Sequence, residues 1–218
     1  MSKKIELISH FGGDQNHANV ARVSFQKEAD NFSEEQNAKL LNYLAKHGHT
    51  SPFRHSVLQF RIRCPIYVER QLHKHHVGVE VNSISGRYVD FSDTYYKIPQ
   101  FRLQSVSSKQ GSGGDLNGAD NEHALTIQNF VIETCKRAYQ DLISLGVSME
   151  QARSILPLSL ETEYITTLSF QAFVHMCNLR LKPDTQKETR DVVTEMLKLV
   201  HEIDDNPFKE SLKAFNLE

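Results

Sequence analysis

Helical periodicity in the second half of the sequence is the feature that most limits the fold. Apolar residues recur at helical spacing between His123 and Leu145, around Met149–Ile155, and from Phe173 to Leu181. A last long helix is predicted after Asp184, which we expect to be its N-cap residue. The apolar stripe of this helix consists of Val192, Val193, Met196, Leu197, Val200 and Ile203. Such a chain, with many helices and few strands, is predicted to adopt an α+β fold in which helix predominates.

The first half of the sequence switches between helical and strand periods. Ser33 and Gln36 have the spacing of a capping box, so a helix is predicted to begin there. Alternating apolar residues from Leu58 to Cys64 predict a half-buried strand. Pro65 is then predicted to open a helix that continues through the Lys74-His75-His76 triplet.

The length of the chain favours a single domain. Its 218 residues are enough for one sizeable hydrophobic core, so we expect one domain over residues 1–218. Residues 104–121 are polar and rich in glycine, and a helical pattern follows them. We therefore interpret residues 104–121 as a mobile loop inside the domain and not as a linker.

Charge and cysteine content exclude several classes of protein. A formal net charge of −2 argues against a nucleic-acid-binding surface spread over the whole molecule, although a local basic site for a nucleotide stays possible. The 3 cysteines are widely spaced, which argues against a disulfide framework or a zinc knuckle and favours a reducing compartment. No segment resembles a signal peptide or a membrane span. We therefore expect a cytoplasmic protein with neither nucleic acid nor membrane as its partner.

A basic, imidazole-rich segment precedes a loop of small residues. The segment is Arg70–His76 (RQLHKHH), and the loop is Asn82–Tyr88 (NSISGRY). Cations and backbone N–H groups that converge in this way suit a phosphate-bearing ligand. Within the loop, Ser85, Gly86 and Arg87 supply a hydroxyl, a closely approachable backbone and a fixed cation. A plain turn before a strand is the alternative that these residues alone leave open.

The same segment offers a metal-site alternative. Glu69, His73 and His76 would share one face of the predicted helix, at positions i, i+4 and i+7. Such a face could hold zinc or iron if further ligands joined it, as in a zinc hydrolase. The neighbouring basic residues oppose a divalent cation, so no metal is predicted. A solvated or interface-facing helix with several histidines is the other alternative to an anionic-cofactor site.

Two arginines, Arg153 and Arg180, stand isolated among apolar residues. An arginine in such surroundings usually either pairs with a carboxylate or is directed at a ligand, and the spacing leaves both alternatives open. The carboxylates available for pairing are Glu161, Glu163 and Glu188. The three cysteines lack the setting of a nucleophile and are interpreted as structural.

From about Val20 to Val193 the sequence resembles the flavin-dependent thymidylate synthases. In that family a basic-His-basic triplet is followed by Asn-Glu-x-Ser-x-Arg-Tyr, and the counterparts here are Lys74-His75-His76 and Asn82–Tyr88. Further blocks recur in the family's order: Ala21-Arg22-Val23-Ser24, His49-Thr50-Ser51-Pro52-Phe53, Gln151-Ala152-Arg153 and Asn178-Leu179-Arg180. The resemblance implies the family's fold, a helix-rich single domain with a small, mostly antiparallel sheet.

The resemblance also implies an activity. Members of the family methylate dUMP reductively to dTMP, with 5,10-methylenetetrahydrofolate as carbon donor and reduced FAD as hydride source. NADPH usually reduces the flavin, and no cysteine nucleophile is needed. The family's enzymes are typically homotetramers whose active sites lie between subunits, so a homotetramer is expected here. In such enzymes the flavin and the folate carry the difficult chemistry, while the protein positions and polarises them.

Site residues follow from the resemblance, position by position. The residues expected to contact FAD are Ser51, Lys74, His75, His76, Ser83, Ser169, Gln171 and His175, with Ser24 as a further candidate. The residues expected to surround dUMP are Gln71, Lys74, Ser83, Ser85, Gly86, Arg87, Arg153 and Arg180. Arg180 is the expected catalytic residue, because a guanidinium stays charged and can offset negative charge on the uracil ring.

The departures from the family pattern lie mainly among the residues expected near the flavin. Ser83 replaces the glutamate of Asn-Glu, His76 replaces a fixed cation, and Arg54 replaces the glutamate after Pro-Phe. Ser169 and Gln171 replace an Asn-x-Arg pair. Two alternatives therefore stay open: a paralogue that makes another C5-modified pyrimidine deoxynucleotide, and a nucleotide-binding homologue that has lost flavin catalysis.

Overall fold

The computed structural model describes residues 4–90, 92–106 and 111–218. The strands in these residues are β1 (Ile5–Phe11), β2 (Val57–Pro65), β3 (Val79–Ser83), β4 (Arg102–Gln104), β5 (Ser112–Asp115) and β6 (Glu161–Ser169). The α-helices are α1 (Asp14–Arg22), α2 (Glu34–Lys46), α3 (Ile66–Leu72), α4 (Gly118–Ser144), α5 (Met149–Ala152), α6 (Phe170–Arg180), α7 (Lys187–His201) and α8 (Lys209–Ala214). Short 3-10 turns occupy Val23–Phe25, Ala29–Asn31, Ser51–Arg54 and Arg153–Ile155.

A four-stranded antiparallel sheet in the order β1-β2-β6-β3 forms the centre of the molecule. Its central pair is β2 and β6, with Val57 opposite Ser169 and Pro65 opposite Glu161. Strands β4 and β5 form a separate antiparallel pair. The predicted α+β class, with helix predominating over a small antiparallel sheet in a single domain, is confirmed.

The core between the sheet and the helices is rich in phenylalanine. Large aromatic side chains bury much apolar area each, so they contribute strongly to the stability of such a core. Phe170 and Phe208 are fully buried and stack with their ring centroids 5.1 Å apart. Helix α6 packs against α7, and α7 packs against β1. Of the stripe predicted for α7, the buried members are Val192, Val193, Met196 and Val200.

Helix α8 is joined to the N-terminal part of the chain by a side-chain cap. Asp14 Oδ2 accepts a hydrogen bond from the backbone N–H of Glu210 at 2.7 Å, and Asp14 Oδ1 accepts one from that of Ser211 at 2.8 Å. Ser211 Oγ in turn lies 2.8 Å from Nδ1 of the buried His17. Asp14 on α1 therefore satisfies two of the orphan donors at the beginning of α8, 196 and 197 residues away in sequence.

Several local predictions are confirmed. Ser33 and Gln36 form the capping box of α2, the predicted strand lies within β2, and Pro65 is the N-cap residue of α3. Others are wrong. Helix α3 ends at Leu72, so the Lys74-His75-His76 triplet lies beyond it, where His75 N–H donates to Leu72 O in a tight turn.

The expected N-cap of the last long helix is also wrong. Gln186, not Asp184, precedes the first residue of α7, because a turn in which Thr185 N–H donates to Lys182 O delays the helix. Asn82 and Ser83 complete β3 and do not begin a loop.

The segment predicted as a loop, 104–121, contains regular structure. It includes β5 and the beginning of α4, whose N-cap Asn117 accepts from Asp120 N–H at 3.0 Å. Residues 107–110 of this segment lie outside the described residues. The mobility expected for the segment stays a prediction.

Candidate active site

A cavity of about 690 Å³, called here the cationic cavity, lies between residues 74–78 and helix α6. Its lining combines fixed cations, imidazoles and apolar walls, and no described residue that lines it is acidic. A concave site with positive charge and apolar walls suits an anionic, partly aromatic ligand. The cations are Arg54, Lys74 and Arg180, the imidazoles are His75, His76 and His175, and the apolar walls include Val77, Ala172 and Leu179.

The end of β6 and the beginning of β3 close one wall of the cationic cavity. Ser169 N–H donates to Gly78 O at 2.9 Å, while Ser169 Oγ accepts from Ala172 N–H at 3.2 Å and caps α6. Gly78 has a φ of 71°, and a Cβ at this position would lie 2.7 Å from Ser169 Oγ. Glycine is therefore required here for both its conformation and its size.

Arg180, at the end of α6, is held at two points. Its Nε donates to Nε2 of His75 at 3.1 Å, and its Nη2 donates to the backbone oxygen of Gln71 at 3.0 Å. Burial lowers the pKa of His75 to about 4, and the positive charge of Arg180 acts in the same direction. His75 is therefore neutral near pH 7, with its proton on Nδ1 and its Nε2 lone pair directed at Arg180.

The glutamates that the sequence offers to Arg180 are all engaged elsewhere. Glu161 pairs with Lys4 at 2.8 Å, Glu163 pairs with Arg61 at 3.9 Å, and Glu188 pairs with Arg102 at 2.8 Å. Two of the five N–H groups of Arg180 are used by His75 and Gln71, and the other three have no partner among the described residues. This arrangement favours the alternative in which Arg180 is directed at a ligand.

A second cavity of about 460 Å³, called here the smaller cavity, lies on another side of Arg180. Arg180 and Leu179 line both cavities, so Arg180 borders each of them. The remaining lining of the smaller cavity is polar and comes from Gln71, Lys182, Asp184, Thr185 and Gln186. The two cavities together offer a charged donor between an apolar, cationic space and a polar one.

The structure brings together most of the residues expected to contact FAD and separates several of those expected around dUMP. Lys74, His75, His76, Ser169, Gln171, His175 and Arg180 line the cationic cavity, and Gln71 lines the smaller one. The expected residues that line neither cavity are Ser24, Ser51, Ser83, Ser85, Gly86, Arg87 and Arg153.

Two of the separated residues meet at one glutamate. Arg87 Nε lies 3.6 Å from Glu150 Oε2, and Arg153 Nε donates to the backbone oxygen of Glu150 at 3.3 Å. Ser85 Oγ accepts from Arg87 N–H at 3.3 Å in the same loop. Arg87 and Arg153 are thus a second basic group, exposed beside α5 and apart from the cavities of their own chain.

The residues weighed as a metal site do not share a face. Because α3 ends at Leu72, His73 turns toward Tyr164, with ring centroids 5.0 Å apart, whereas His76 lines the cationic cavity. His73 Nδ1 lies 3.6 Å from Glu69 Oε1. Within the described residues, no group of three or more His, Cys, Asp and Glu side chains is arranged to hold a metal ion.

Buried thiols do not contribute a nucleophile. Cys64 and Cys177 are buried. Burial raises the pKa of the Cys64 thiol to about 12, and it also raises the pKa of the Cys177 thiol. Thiols with such pKa values stay protonated near neutral pH. The interpretation of these two cysteines as structural is confirmed by their burial.

Two features of the cationic cavity go beyond the contacts that were predicted from the sequence. Arg54 adds a fixed cation to the lining, and its hydrogen bond to Thr50 Oγ1 is long, at 3.5 Å. Its position directly after the Pro52-Phe53 block was the available signal. Among the described residues, Gln171 Oε1 is buried and has no hydrogen-bond partner, which is uncommon for a buried acceptor outside a ligand site.

None of the helices in the described parts of the chain is long and apolar enough to cross a membrane.

Comparison with known proteins connects this geometry to one family. Residues 6–204 match the family model described as thymidylate synthase complementing protein. A flavin-dependent thymidylate synthase of Thermus thermophilus is 35% identical over 198 residues, which cover 91% of this chain and 71% of the relative. That of Kosmotoga olearia is 34% identical over 195 residues, covering 89% of this chain and 84% of the relative.

A solved structure agrees with the sequence comparisons. The UMP/dUMP methylase PolB from Streptomyces cacaoi, bound with 5-Br dUMP, superposes with a TM-score of 0.85 and 26% identity. The match covers 97% of this chain and 93% of PolB. Sequence and fold agree, and the chain belongs to the flavin-dependent thymidylate synthases, the family of thymidylate synthase complementing proteins.

Proposed function

We propose that this protein methylates dUMP reductively to dTMP, with 5,10-methylenetetrahydrofolate as carbon donor, FAD as cofactor and NADPH as the reductant of the flavin. The observation that carries the proposal is Arg180, which has no carboxylate partner among the described residues. It stands between two cavities, fixed by a neutral imidazole and a backbone carbonyl. A preorganised cation of this kind stabilises negative charge that develops on a substrate.

The residues of the cationic cavity fit FAD. Arg54 and Lys74 offer fixed positive charge for its diphosphate, and Val77, Ala172 and Leu179 offer apolar contacts for its rings. The polar residues that would hold it are Lys74, His75, His76, Ser169, Gln171 and His175. When bound and reduced, FAD supplies the hydride of the proposed reaction.

The smaller cavity is the proposed place for the base of dUMP. Gln71 and Gln186 present amides there, Lys182 adds a cation, and Arg180 reaches in from the side of the cationic cavity. The similarity to PolB, a structure named for its complex with 5-Br dUMP, supports a pyrimidine nucleotide as the ligand. Arg180 would offset charge on the uracil ring, while His75 orients the guanidinium and takes up no proton near neutral pH.

Residues that line neither cavity are proposed to complete the site across a subunit boundary. Arg87 and Arg153 are exposed cations that would bind the phosphate of dUMP in a neighbouring subunit. Helix α4 supports a homotetramer, because it exposes large apolar side chains that a single chain leaves uncovered. These side chains include Ile127, Phe130 and Val131, with relative exposures of 50%, 70% and 41%.

Visible spectroscopy followed by a product assay tests this function. Protein incubated with FAD and then desalted should retain a flavin absorption band that NADPH bleaches and dUMP perturbs. With methylenetetrahydrofolate added, it should form dTMP. Protein that binds dUMP but stays colourless would identify the nucleotide-binding alternative, and a hydroxymethylated product would identify the paralogue.

A further inference from the structure

A chain of side-chain hydrogen bonds runs from the β4–β5 pair to the edge of the smaller cavity. Arg102 Nη2 donates to both carboxylate oxygens of Glu188, at 2.8 and 3.0 Å. Gln186 Nε2 donates to Glu188 Oε2 at 3.0 Å, and Gln71 Nε2 donates to Gln186 Oε1. Thr189 Oγ1 closes the chain by donating to Gln71 Oε1 at 3.0 Å.

Glu188 determines which way the hydrogen bonds in this series of side chains run. Its side chain is buried, and although burial raises the pKa of its carboxyl, the hydrogen bonds from Arg102 and Gln186 outweigh burial and lower it. An ionised carboxylate only accepts hydrogen bonds. Gln186 must therefore turn its NH₂ toward Glu188 and its carbonyl toward Gln71, and Gln71 must then turn its own NH₂ toward Gln186.

The opposite end of the chain does not impose an orientation. The hydroxyl of Thr189 is a donor and also an acceptor, so it can serve either the carbonyl or the NH₂ of Gln71. The two ends of a glutamine amide have nearly the same shape, so packing does not distinguish them either. Among the described partners of these amides, Glu188 alone is restricted to one role.

We propose that Glu188 is a positioning residue, which acts through Gln186 to fix the donor and acceptor pattern that the Gln71 amide offers to a pyrimidine base in the smaller cavity. The identity of the base rests on the proposed function. Gln71 and Gln186 both line the smaller cavity, whereas Glu188 does not. A uracil edge presents a fixed sequence of C=O and N–H groups, so a reversed amide would leave polar groups mismatched.

The substitution Glu188→Gln should reverse the donor and acceptor roles along this series of hydrogen bonds. Arg102 Nη2 contacts both terminal atoms of residue 188, but only the Oε2 side also faces Gln186. With its oxygen on the Oε2 side, the new amide would leave its NH₂ unpaired against Arg102, which has donors only. With its oxygen on the other side, its NH₂ pairs with the carbonyl of Gln186, so this direction is favoured. Gln186 would then accept from residue 188 with its carbonyl and direct its NH₂ at Gln71. Gln71 would in turn direct its carbonyl at the NH₂ of Gln186. The Gln71 amide would thus present donor and acceptor in exchanged places, with little change of shape.

Calorimetric titration of dUMP into the FAD-loaded protein tests this inference. Glu188→Gln should weaken dUMP binding by about 10- to 100-fold, the usual penalty for a mismatched buried hydrogen bond. The matched control is Glu161→Gln. Glu161 is also buried and also paired with basic side chains, those of Lys4 and Arg63, but it contacts the amide of neither Gln71 nor Gln186. The control should lose thermal stability and keep its dUMP affinity within about twofold.

A double exchange separates orientation from simple loss of the ion pair with Arg102. In Gln186→Glu/Glu188→Gln the acceptor-only group stands next to Gln71 and holds its amide in the original direction. The double variant should regain most of the dUMP affinity lost in Glu188→Gln. If Glu188→Gln does not fold, near-normal binding by the folded double variant still supports the inference.

Two results would overturn the inference while leaving the proposed function intact. One is unchanged dUMP affinity in Glu188→Gln, and the other is a folded double variant that binds no better than Glu188→Gln or not at all. A wild-type protein that fails to bind dUMP would instead contradict the proposed function, and the inference would fall with it.

Discussion

Arg180 combines a permanent charge with a fixed direction. His75 and the backbone of Gln71 each take one of its N–H groups, at 3.1 and 3.0 Å, and both partners are uncharged near neutral pH. An uncharged holder orients the guanidinium without cancelling its field, which a carboxylate partner would do. The position therefore suits electrostatic stabilisation of a ligand better than it suits stabilisation of the fold.

Arg180→Ala should lower kcat for dTMP formation by at least about 100-fold, the usual loss when one preorganised donor is removed. The melting temperature should change little, because the lost contacts line a cavity and do not belong to the core. Steady-state kinetics and calorimetry measure the two quantities. Arg61→Ala, which removes a surface arginine paired with Glu163 at 3.9 Å, is the control and should keep full activity. Near-normal turnover in Arg180→Ala would refute its catalytic role.

His17 predicts how stability depends on pH. It is fully buried, and burial lowers its pKa to about 3, with the charge of His55 acting in the same direction. In the unfolded chain its pKa is near 6.5, so the unfolded state binds the proton more tightly between pH 6.5 and 3. The free energy of unfolding should therefore fall as the pH drops through this window.

Urea unfolding at pH 7 and pH 5 measures this effect. His17 alone should account for a loss of about 2 kcal/mol between these pH values. In His17→Asn, which preserves a partner for Ser211 Oγ, that part of the pH dependence should disappear. His123→Asn, at an exposed histidine on α4, should keep the wild-type slope. An equal slope in wild type and His17→Asn would exclude His17 as the cause.

The helices and strands differ in how well they can be predicted from their sequences. The capping box of α2 and the apolar alternation of β2 identify these elements, because side chains there face a uniformly apolar core. Strand β6 was not predicted, since its buried positions include Thr162 and Thr166 and hide the apolar alternation. The end of α3 at Leu72 was missed because His75 bonds to Leu72 O in a turn that side-chain periodicity does not report.

Gly78 decides whether the turn after α3 can meet the end of β6. Gly78→Ala should lower the free energy of unfolding by about 2 to 4 kcal/mol, from the left-handed backbone and from contact with Ser169 Oγ. Gly146→Ala is the control, because Gly146 has a φ of 85° but nothing within 4 Å of the position that an added methyl group would take. It should cost only about 1 to 2 kcal/mol. Chemical denaturation compares the two, and equal losses would show that the Ser169 contact is unimportant.

At the scale of the whole molecule, the fold brings only part of the predicted site together at the two cavities. Most of the residues expected to contact FAD line the cationic cavity, because residues 74–78 and α6 are brought together by the pairing of β3 with β6. Arg87 and Arg153 were predicted beside the same ligand, yet they meet at Glu150 and line neither cavity. A resemblance between sequences cannot assign a residue to one subunit or to its neighbour.

Mixed oligomers test whether the site is shared. Arg180→Ala and Arg87→Ala should each be inactive alone. When the two variants are dissociated, mixed in equal amounts and reassembled, about a quarter of the sites should combine both intact arginines, if these come from different subunits. The recovered dTMP-forming activity measures that fraction. Reassembled Arg180→Ala alone is the control, and the absence of recovery in the mixture would place both arginines in one subunit.

The cap that Asp14 provides for α8 has a consequence for the order of folding. Its hydrogen bonds to the backbone of Glu210 and Ser211 join residues 196 and 197 positions apart. Contacts between residues so far apart in sequence form late and slow folding, because the entropy of a long loop is lost before the contact contributes any stability. During synthesis, α1 leaves the ribosome long before α8 exists. The surface of α1 and α2 that packs against α8 therefore stays uncovered until residues 209–214 have been synthesised.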